Sequence, residues 1–236
     1  MKFLEPEAYQ PLARELFDRL SSLIRQTLPA ARIEHIGSSA IEGAVSNEDE
    51  YRYVKSNFIE KVLMRREILF QTAHLTAELL SAADLDLIIQ LNKTCSDFFL
   101  FQNGLPPSED DAREIFEFVP PQSHGATKLP IGIFHAERLV GVMDVLRGYR
   151  ATSDWYIGFM LLAPSFRGQG FGTEIHSGFV SYARRGGTQR LLIAVLEAND
   201  SARRFWLRLG YRKVKHYPPI QFGKRLHALT EFEMVL

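Results

Sequence analysis

Cysteine is almost absent: Cys95 is the single thiol among 236 residues, which excludes an internal disulfide and any two-cysteine zinc site. Charge of one sign is lacking too. Lys plus Arg and Asp plus Glu number 28 each, so no global field favours nucleic acid or an anionic membrane. No apolar run approaches the roughly 18 residues of a membrane span, and the opening MKFLEPEAYQPLARELF has no apolar centre of a secretion signal. These absences predict a cytoplasmic protein that binds neither nucleic acid nor membrane. Internal repeats and low-complexity tracts are missing as well. What is present is ordinary for a globular chain, 46% apolar and 24% charged residues, enough for a sizeable core.

Texture divides the chain. Residues 1–70 predict a mainly helical extension. There YQPLARELFDRLSSLIRQTL places Leu12, Leu16, Leu20, Leu23 and Leu28 at helical spacings, and NFIEKVLMRREILFQ reads as a further helix. Residues 71–236 predict an α/β domain with a mixed sheet. AELLSA reads as a short strand, AADLDLIIQLNKTCSDFF as one amphipathic helix capped by Asp84, and SEDDAREIFEFV as a second helix capped by Ser108. LPIGIFHAERLVGVMDVLRGY reads as a hairpin turning at HAE, and DWYIGFMLLAP as a central strand buried on both faces. TEIHSGFVSYARR forms a helix stopped by Gly186 and Gly187. QRLLIAVL is a buried strand, NDSARRFWLRLG a helix ended by Gly210, and YRKVKHY and LTEFEMVL are closing strands.

Between the central strand and the next helix stands APSFRGQGFGTEI, with Gly168, Gly170 and Gly172 on alternate positions behind Arg167. A helix N-terminus offers unpaired N–H groups and partial positive charge, and glycines let a phosphate approach the backbone. The loop lacks the G-x-G-x-x-G spacing of dinucleotide folds, and no lysine completes a P-loop. Taken alone, a tight turn without a ligand explains the glycines as well. A second segment, EANDSARRFWLRLGY, also runs from a strand into a helix, with Asn199 at the N-cap. Two such strand ends would splay and admit something thin between them.

Here the sequence resembles the GNAT acetyltransferase superfamily over roughly residues 76–236. Its phosphate-binding signature, Gln/Arg-x-x-Gly-x-Gly/Ala, matches Arg167 to Gly172. Its second signature matches Asn199, Ala202, Phe205, Trp206, Gly210 and Tyr211. The resemblance implies acetyl-coenzyme A as co-substrate and no metal. It implies pyrophosphate held by the backbone of Arg167, Gly168, Gln169, Gly170, Phe171, Gly172 and Thr173. Pantetheine would pair with Met160, Leu161 and Leu162, with Asn199 and Phe205 completing the site. A backbone N–H near Leu161 or Leu162 would polarise the thioester carbonyl. The implied reaction is direct attack of an amine, from a small molecule or a protein, within a ternary complex. DWYIGFMLLAP and LVGVMDVLRGY look like one bacterial subgroup.

The tyrosine that serves as acid in many relatives is replaced by Trp206, and an indole cannot give up that proton. Glu197, Asp144 and Tyr156 are the candidate acid–base residues. Each has a plainer reading: Glu197 as a solvated strand end, Asp144 as an ion-pair partner of Arg147, Tyr156 as part of a strand edge. His176 is expected in solvent or against the sheet, and Cys95 in the core. Phe98, Phe99, Arg147, Tyr149 and Trp155 are the candidates for a partly apolar acceptor site. A non-catalytic acyl-coenzyme A-binding module is the alternative reading. The oligomeric state is left open, a homodimer included.

The N-terminal IEHIGSSAIEGAVSNEDEY resembles the start of a GrpB-like nucleotidyltransferase. Gly37-Ser38 would cradle a phosphate and Asp49 would be the first metal-binding aspartate. Tyr51 stands where the second belongs, with Glu48 and Glu50 as a shifted pair. A lone carboxylate is a weak magnesium site, so residues 1–70 are expected to be a truncated, silent attachment.

Overall fold

The computed structural model describes residues 66–236 except 121, 122 and 124, together with residues 3–4, 14–15, 17–18, 21–22 and 46–47. Gly37, Ser38 and residues 48–51 therefore lie outside the described residues. The chain divides into two compact units, Met1–Arg65 and Arg66–Leu236. In the first, Phe3–Leu4 pairs antiparallel with Ser46–Asn47.

The second unit is an eight-stranded mixed sheet with five α-helices. In chain order these are β1 (Ile68–Gln71), β2 (Thr76–Leu79), α1 (Leu85–Thr94), α2 (Ser96–Asn103) and α3 (Glu109–Glu117). Then come β3 (Thr127–His135), β4 (Arg138–Arg147), β5 (Asp154–Leu162), α4 (Phe171–Arg185) and β6 (Arg190–Leu196). The chain closes with α5 (Asp200–Arg208), β7 (Arg212–Phe222) and β8 (Arg225–Val235). The sheet runs β1-β2-β3-β4-β5-β6-β8-β7, antiparallel except for β5 against β6. Helices cover it on two sides. One core packs the sheet against Ile175, Phe179 and Ala183 of α4 and Trp206 of α5. The other packs it against Ile88, Leu91, Phe99, Ala112 and Ile115 of α1 to α3. Among the described residues no helix is long and apolar enough to cross a membrane.

Local signals account for most of these elements. Ser108 closes a capping box on α3: its Oγ accepts from Asp111 N at 3.2 Å while its own N donates to Asp111 Oδ2 at 2.7 Å. The hairpin of β3 and β4 turns at Ala136 and Glu137, as expected, with Ala136 at φ 53°.

Three expectations need correction. Residues 68–71 form a strand rather than a helix, because tertiary packing draws Leu69 and Phe70 into the core. Gly178 on α4 makes room for that strand, since a Cβ there would lie 2.8 Å from the Phe70 ring. The helix expected across Cys95 is two helices. Thr94 Oγ1 and Ser96 Oγ each donate to a carbonyl three residues back, at 2.7 Å, and compete with the helical ladder there. Asp84 stands at the N-cap of α1, as expected, but its side chain caps no N–H of that helix: Oδ2 reaches back instead to accept from Ser81 N at 2.9 Å.

Candidate active site

β5 and β6 pair only from Asp154–Arg190 to Ile157–Ile193, after which their ends part. A bulge begins the fork. Asp144 faces Phe159 and Val145 faces Ile157, leaving Gly158 as the extra residue on β5. Beyond it, Val142 pairs with Leu161, and Ala163 N donates to Val140 O at 2.8 Å. Strand alternation then turns the backbone of Leu161 towards β4 and that of Met160 and Leu162 into the fork. Leu161 is thereby corrected as a donor to a ligand in the fork. The Leu162 carbonyl is already taken, by Arg167 Nε at 2.7 Å and Cys95 Sγ at 3.6 Å. Cys95 is fully buried, and burial pushes its thiol up.

The glycine loop opens beside this fork. Gly168 and Gly170 have φ of 73° and 90°, and a Cβ on either would meet nothing within 4 Å. Their absent side chains thus serve a left-handed turn and leave an open face. The N–H groups of residues 168–172 have no acceptor among the described residues. Gly170 begins α4 with no side-chain cap, and the first helical acceptor is its own carbonyl, which takes Thr173 N and Glu174 N, both at 3.0 Å. An uncapped helix N-terminus with consecutive free N–H groups is an anion site in waiting. Gln169 folds back, with Nε2 donating to Ser165 O at 2.6 Å. Gly172 has a different reason to be glycine. A Cβ there would stand 3.3 Å from the Phe205 ring, so this residue sets the approach of α5 to α4. Gly172→Val is expected to cost about 1–3 kcal/mol by overpacking, and Phe205→Leu in the same chain to recover part of it, both read as Tm.

Asn199 caps α5 as expected, its Oδ1 accepting from Ala202 N and Ser201 Oγ, both at 3.0 Å. Only its Nδ2 is left for a ligand. A cleft of about 390 Å³ lies between α2 and the start of α5, lined by Asp97, Phe98, Phe101, Arg167 and residues 198–201. Arg167 crosses it, its guanidinium paired with Asp97, which holds that carboxyl below the usual range. Phe98 is half-buried against Phe159 at 5.4 Å, and Phe99 is buried beside both.

Gly158 is exposed although it sits mid-strand at the sheet's centre. A Cβ there would lie 3.2 Å from Asp144 Oδ2 and 3.7 Å from Tyr156 Cε1. A carboxylate and a phenol therefore flank a notch at the start of the fork. Asp144 pairs with Lys128 Nζ at 2.9 Å, and its Oδ1 has no hydrogen-bond partner. Burial raises its carboxyl to about 6 against the pull of Lys128. Burial likewise raises the Tyr156 phenol, with Tyr149 and Glu231 adding to the effect and the Ala194 backbone N–H opposing it.

Other candidates fall elsewhere. Arg147 cannot reach Asp144, because residues three apart on a strand face opposite ways. It stacks on Trp155 at 4.8 Å and donates to Tyr182 OH on the α4 side. Trp155 is buried there against Phe179 and Tyr182. The sheet thus separates both from the Asp144 face. Glu197 accepts from Thr230 Oγ1 at 3.0 Å and meets His216 Nδ1 at 2.9 Å, apart from the notch. Trp206 is buried among Phe205, His176 and Tyr211. Sequence reasoning missed Gly158, Lys128 and Asp97. Of these only Gly158 carries a signal, a lone glycine within a strand pattern, which marks bulges and close approaches.

A mixed sheet forked beside an uncapped glycine-loop helix is the architecture of an acetyltransferase. The family model described as the Acetyltransferase (GNAT) family matches residues 92–211, just over half of the 236-residue chain. The chain belongs to that family and is an N-acetyltransferase. An acetyltransferase from Thermus thermophilus is 21% identical with a TM-score of 0.56, covering 70% of this chain and 99% of its own. A Salmonella typhimurium acetyl transferase described as modifying the N-terminal serine of ribosomal protein L7/L12 is 18% identical, TM-score 0.57, covering 72% and 99%. RimL, a ribosomal L7/L12 α-N-protein acetyltransferase in complex with coenzyme A, is 18% identical, TM-score 0.56, covering 72% and 98%. No curated protein matches the chain.

Proposed function

We propose that residues 66–236 transfer acetyl from acetyl-coenzyme A to the amine of a small molecule or of a protein N-terminus, by direct attack at the notch of Gly158. The observation that carries this reading is the exposed glycine flanked by Asp144 and Tyr156 where β5 leaves β6. The free N–H groups of residues 168–172 bind the pyrophosphate, and those of Met160 and Leu162 face the pantetheine arm and thioester oxygen. The amine nitrogen forms the new C–N bond as the C–S bond breaks. Asp144, whose Oδ2 lies at the notch beside Lys128, takes the ammonium proton; Tyr156 gives a proton to the departing thiolate and regains one from the acylated nitrogen. Burial keeps the phenol protonated until the thiolate forms but also weakens it as an acid, so its proton transfer depends on the proton it regains from nitrogen, a relay that the Trp206 indole cannot supply.

The relatives described as acting on a ribosomal protein's N-terminus support a protein acceptor. The cleft's Phe98 and Phe101 support an acceptor with a partly apolar body. The test is titration calorimetry with acetyl-coenzyme A, followed by thiol release across primary amines and serine-initiated peptides. Tyr156→Phe and Asp144→Asn are each expected to keep coenzyme A affinity within about threefold and to lower turnover about a hundredfold. Binding without turnover on every acceptor would instead leave an acyl-coenzyme A module.

A further inference from the structure

We infer that Arg150 and Glu231 form a clamp across the sheet face that positions Tyr156 at the fork, a role that rests on the acid assignment above. Arg150 lies in the loop of residues 148–153 between β4 and β5, whereas Glu231 belongs to β8, beyond β6 in the sheet. The pair is bidentate: Arg150 Nη1 donates to Oε1 at 2.8 Å and Nη2 to Oε2 at 2.7 Å. Tyr217 OH on β7 adds a third bond to Oε2 at 2.8 Å and accepts from Arg150 Nη2 at 3.1 Å. The guanidinium is thus tied to a carboxylate of which only 4% of the side chain is exposed.

Such a pair, with Glu231 buried and Arg150 exposed, is poor evidence for stability, since desolvation of the carboxylate and screening of the guanidinium offset much of the attraction. What it holds is more informative. The Arg150 guanidinium lies 5.2 Å from the centre of the Tyr149 ring, and that ring stacks on Tyr156 at 4.5 Å and 27°. The loop beneath is pinned by Tyr149 N donating to Asp154 O at 2.9 Å. A chain of contacts therefore runs from β8 through Arg150 and Tyr149 to the phenol beside Gly158. It closes one wall of the notch and restricts the Tyr156 ring. The titratable and charged groups facing that phenol are Tyr149, Glu231, Tyr217 and, through its clamp, Arg150.

The probe is the pair replacement Arg150→Met with Glu231→Leu, which removes both charges and leaves no buried carboxylate unpaired. Alkaline difference spectra at the tyrosinate band read Tyr156 without any acceptor, with Tyr156→Phe supplying the assignment. Tyr156 is expected to ionise earlier in the pair variant than in the wild type, from loss of the Glu231 charge as well as of the clamp, while coenzyme A affinity stays within threefold. Turnover on the best amine of the panel falls about tenfold, and this loss disappears when Tyr156 is already Phe, because coupled residues are not additive. Tyr217→Phe, which keeps the bidentate pair, retains at least half of wild-type turnover. An unchanged Tyr156 spectrum in the folded pair variant, or an equal loss in the Tyr156→Phe background, overturns the clamp. Full turnover in Tyr156→Phe alone overturns the acid assignment instead, and the spectra still show whether the ring is held.

Discussion

Gly170→Asp is expected to weaken acetyl-coenzyme A binding at least a hundredfold while the protein stays folded. Gly170 stands at the N-cap of α4 with φ 90°, and its missing side chain faces open space. Aspartate is among the few side chains that tolerate a left-handed backbone and is favoured at a helix N-terminus. The fold therefore loses little. The ligand site loses much, because a fixed carboxylate takes the place proposed for the pyrophosphate. At about 4 Å and an effective dielectric near 20, one pair of like charges costs on the order of 4 kcal/mol. Screening reduces that figure, but about 2.7 kcal/mol already gives the hundredfold. Gly170→Asn carries the same shape without the charge and is expected to lose less than tenfold. Calorimetric titration of the two variants isolates the electrostatic part. Equal affinities in Asp and Asn would show that no phosphate lies at this loop.

The parts of this site that follow local rules could be read from the residues alone. Three alternating glycines, an Asn before a helix and two apolar strands ahead of them place Gly168, Gly170 and Asn199 correctly, because backbone sterics and capping act over a few residues. The mixed sheet was legible for the same reason. Side-chain partnerships across strands were not. Sequence proximity pairs Asp144 with Arg147, but strand alternation puts the two on opposite faces. The antiparallel register instead sets Lys128 opposite Leu146, diagonal to Asp144 on the same face. Trp155 and Tyr156 are adjacent, and the same alternation sends one into the α4 core and the other to the fork. The reason for Gly172 lies in Phe205, a contact that only the packing of two helices reveals. The Arg150–Glu231 pair joins residues on a loop and on β8, and nothing local announces it.

Two buried groups then set opposing slopes on stability between pH 4 and 6.5, and replacing either should expose the other. Burial lowers His176 from 6.5 to about 4, its Nε2 3.1 Å from Tyr211 OH in the core beside Trp206. Its folded value lies below its unfolded value, so stability is full above pH 6.5 and falls as the unfolded chain takes up the proton. Burial raises Asp144 from 3.8 to about 6, with Lys128 opposing and Glu114 adding to the rise. Its folded value lies above its unfolded value, so the folded state binds the proton first and gains stability as pH falls from 6 towards 4. Each shift of roughly two units corresponds to about 3 kcal/mol, and the two nearly cancel. For a unit of this size that is about 6–12 °C in Tm. Asp144→Asn is expected to lose Tm steeply on acidification from pH 6.5 to 4, whereas His176→Gln gains Tm over the same range. The wild type and the double variant stay nearly level. Scanning calorimetry at several pH values reads all four slopes. Parallel curves for the wild type and both single variants would mean that neither group carries its charge penalty into the fold. An Asp144→Asn protein more acid-sensitive than the wild type would show that the carboxylate at the notch is costly to keep ionised near neutrality. That cost is what a group retained for taking a proton from an amine, rather than for stability, would carry.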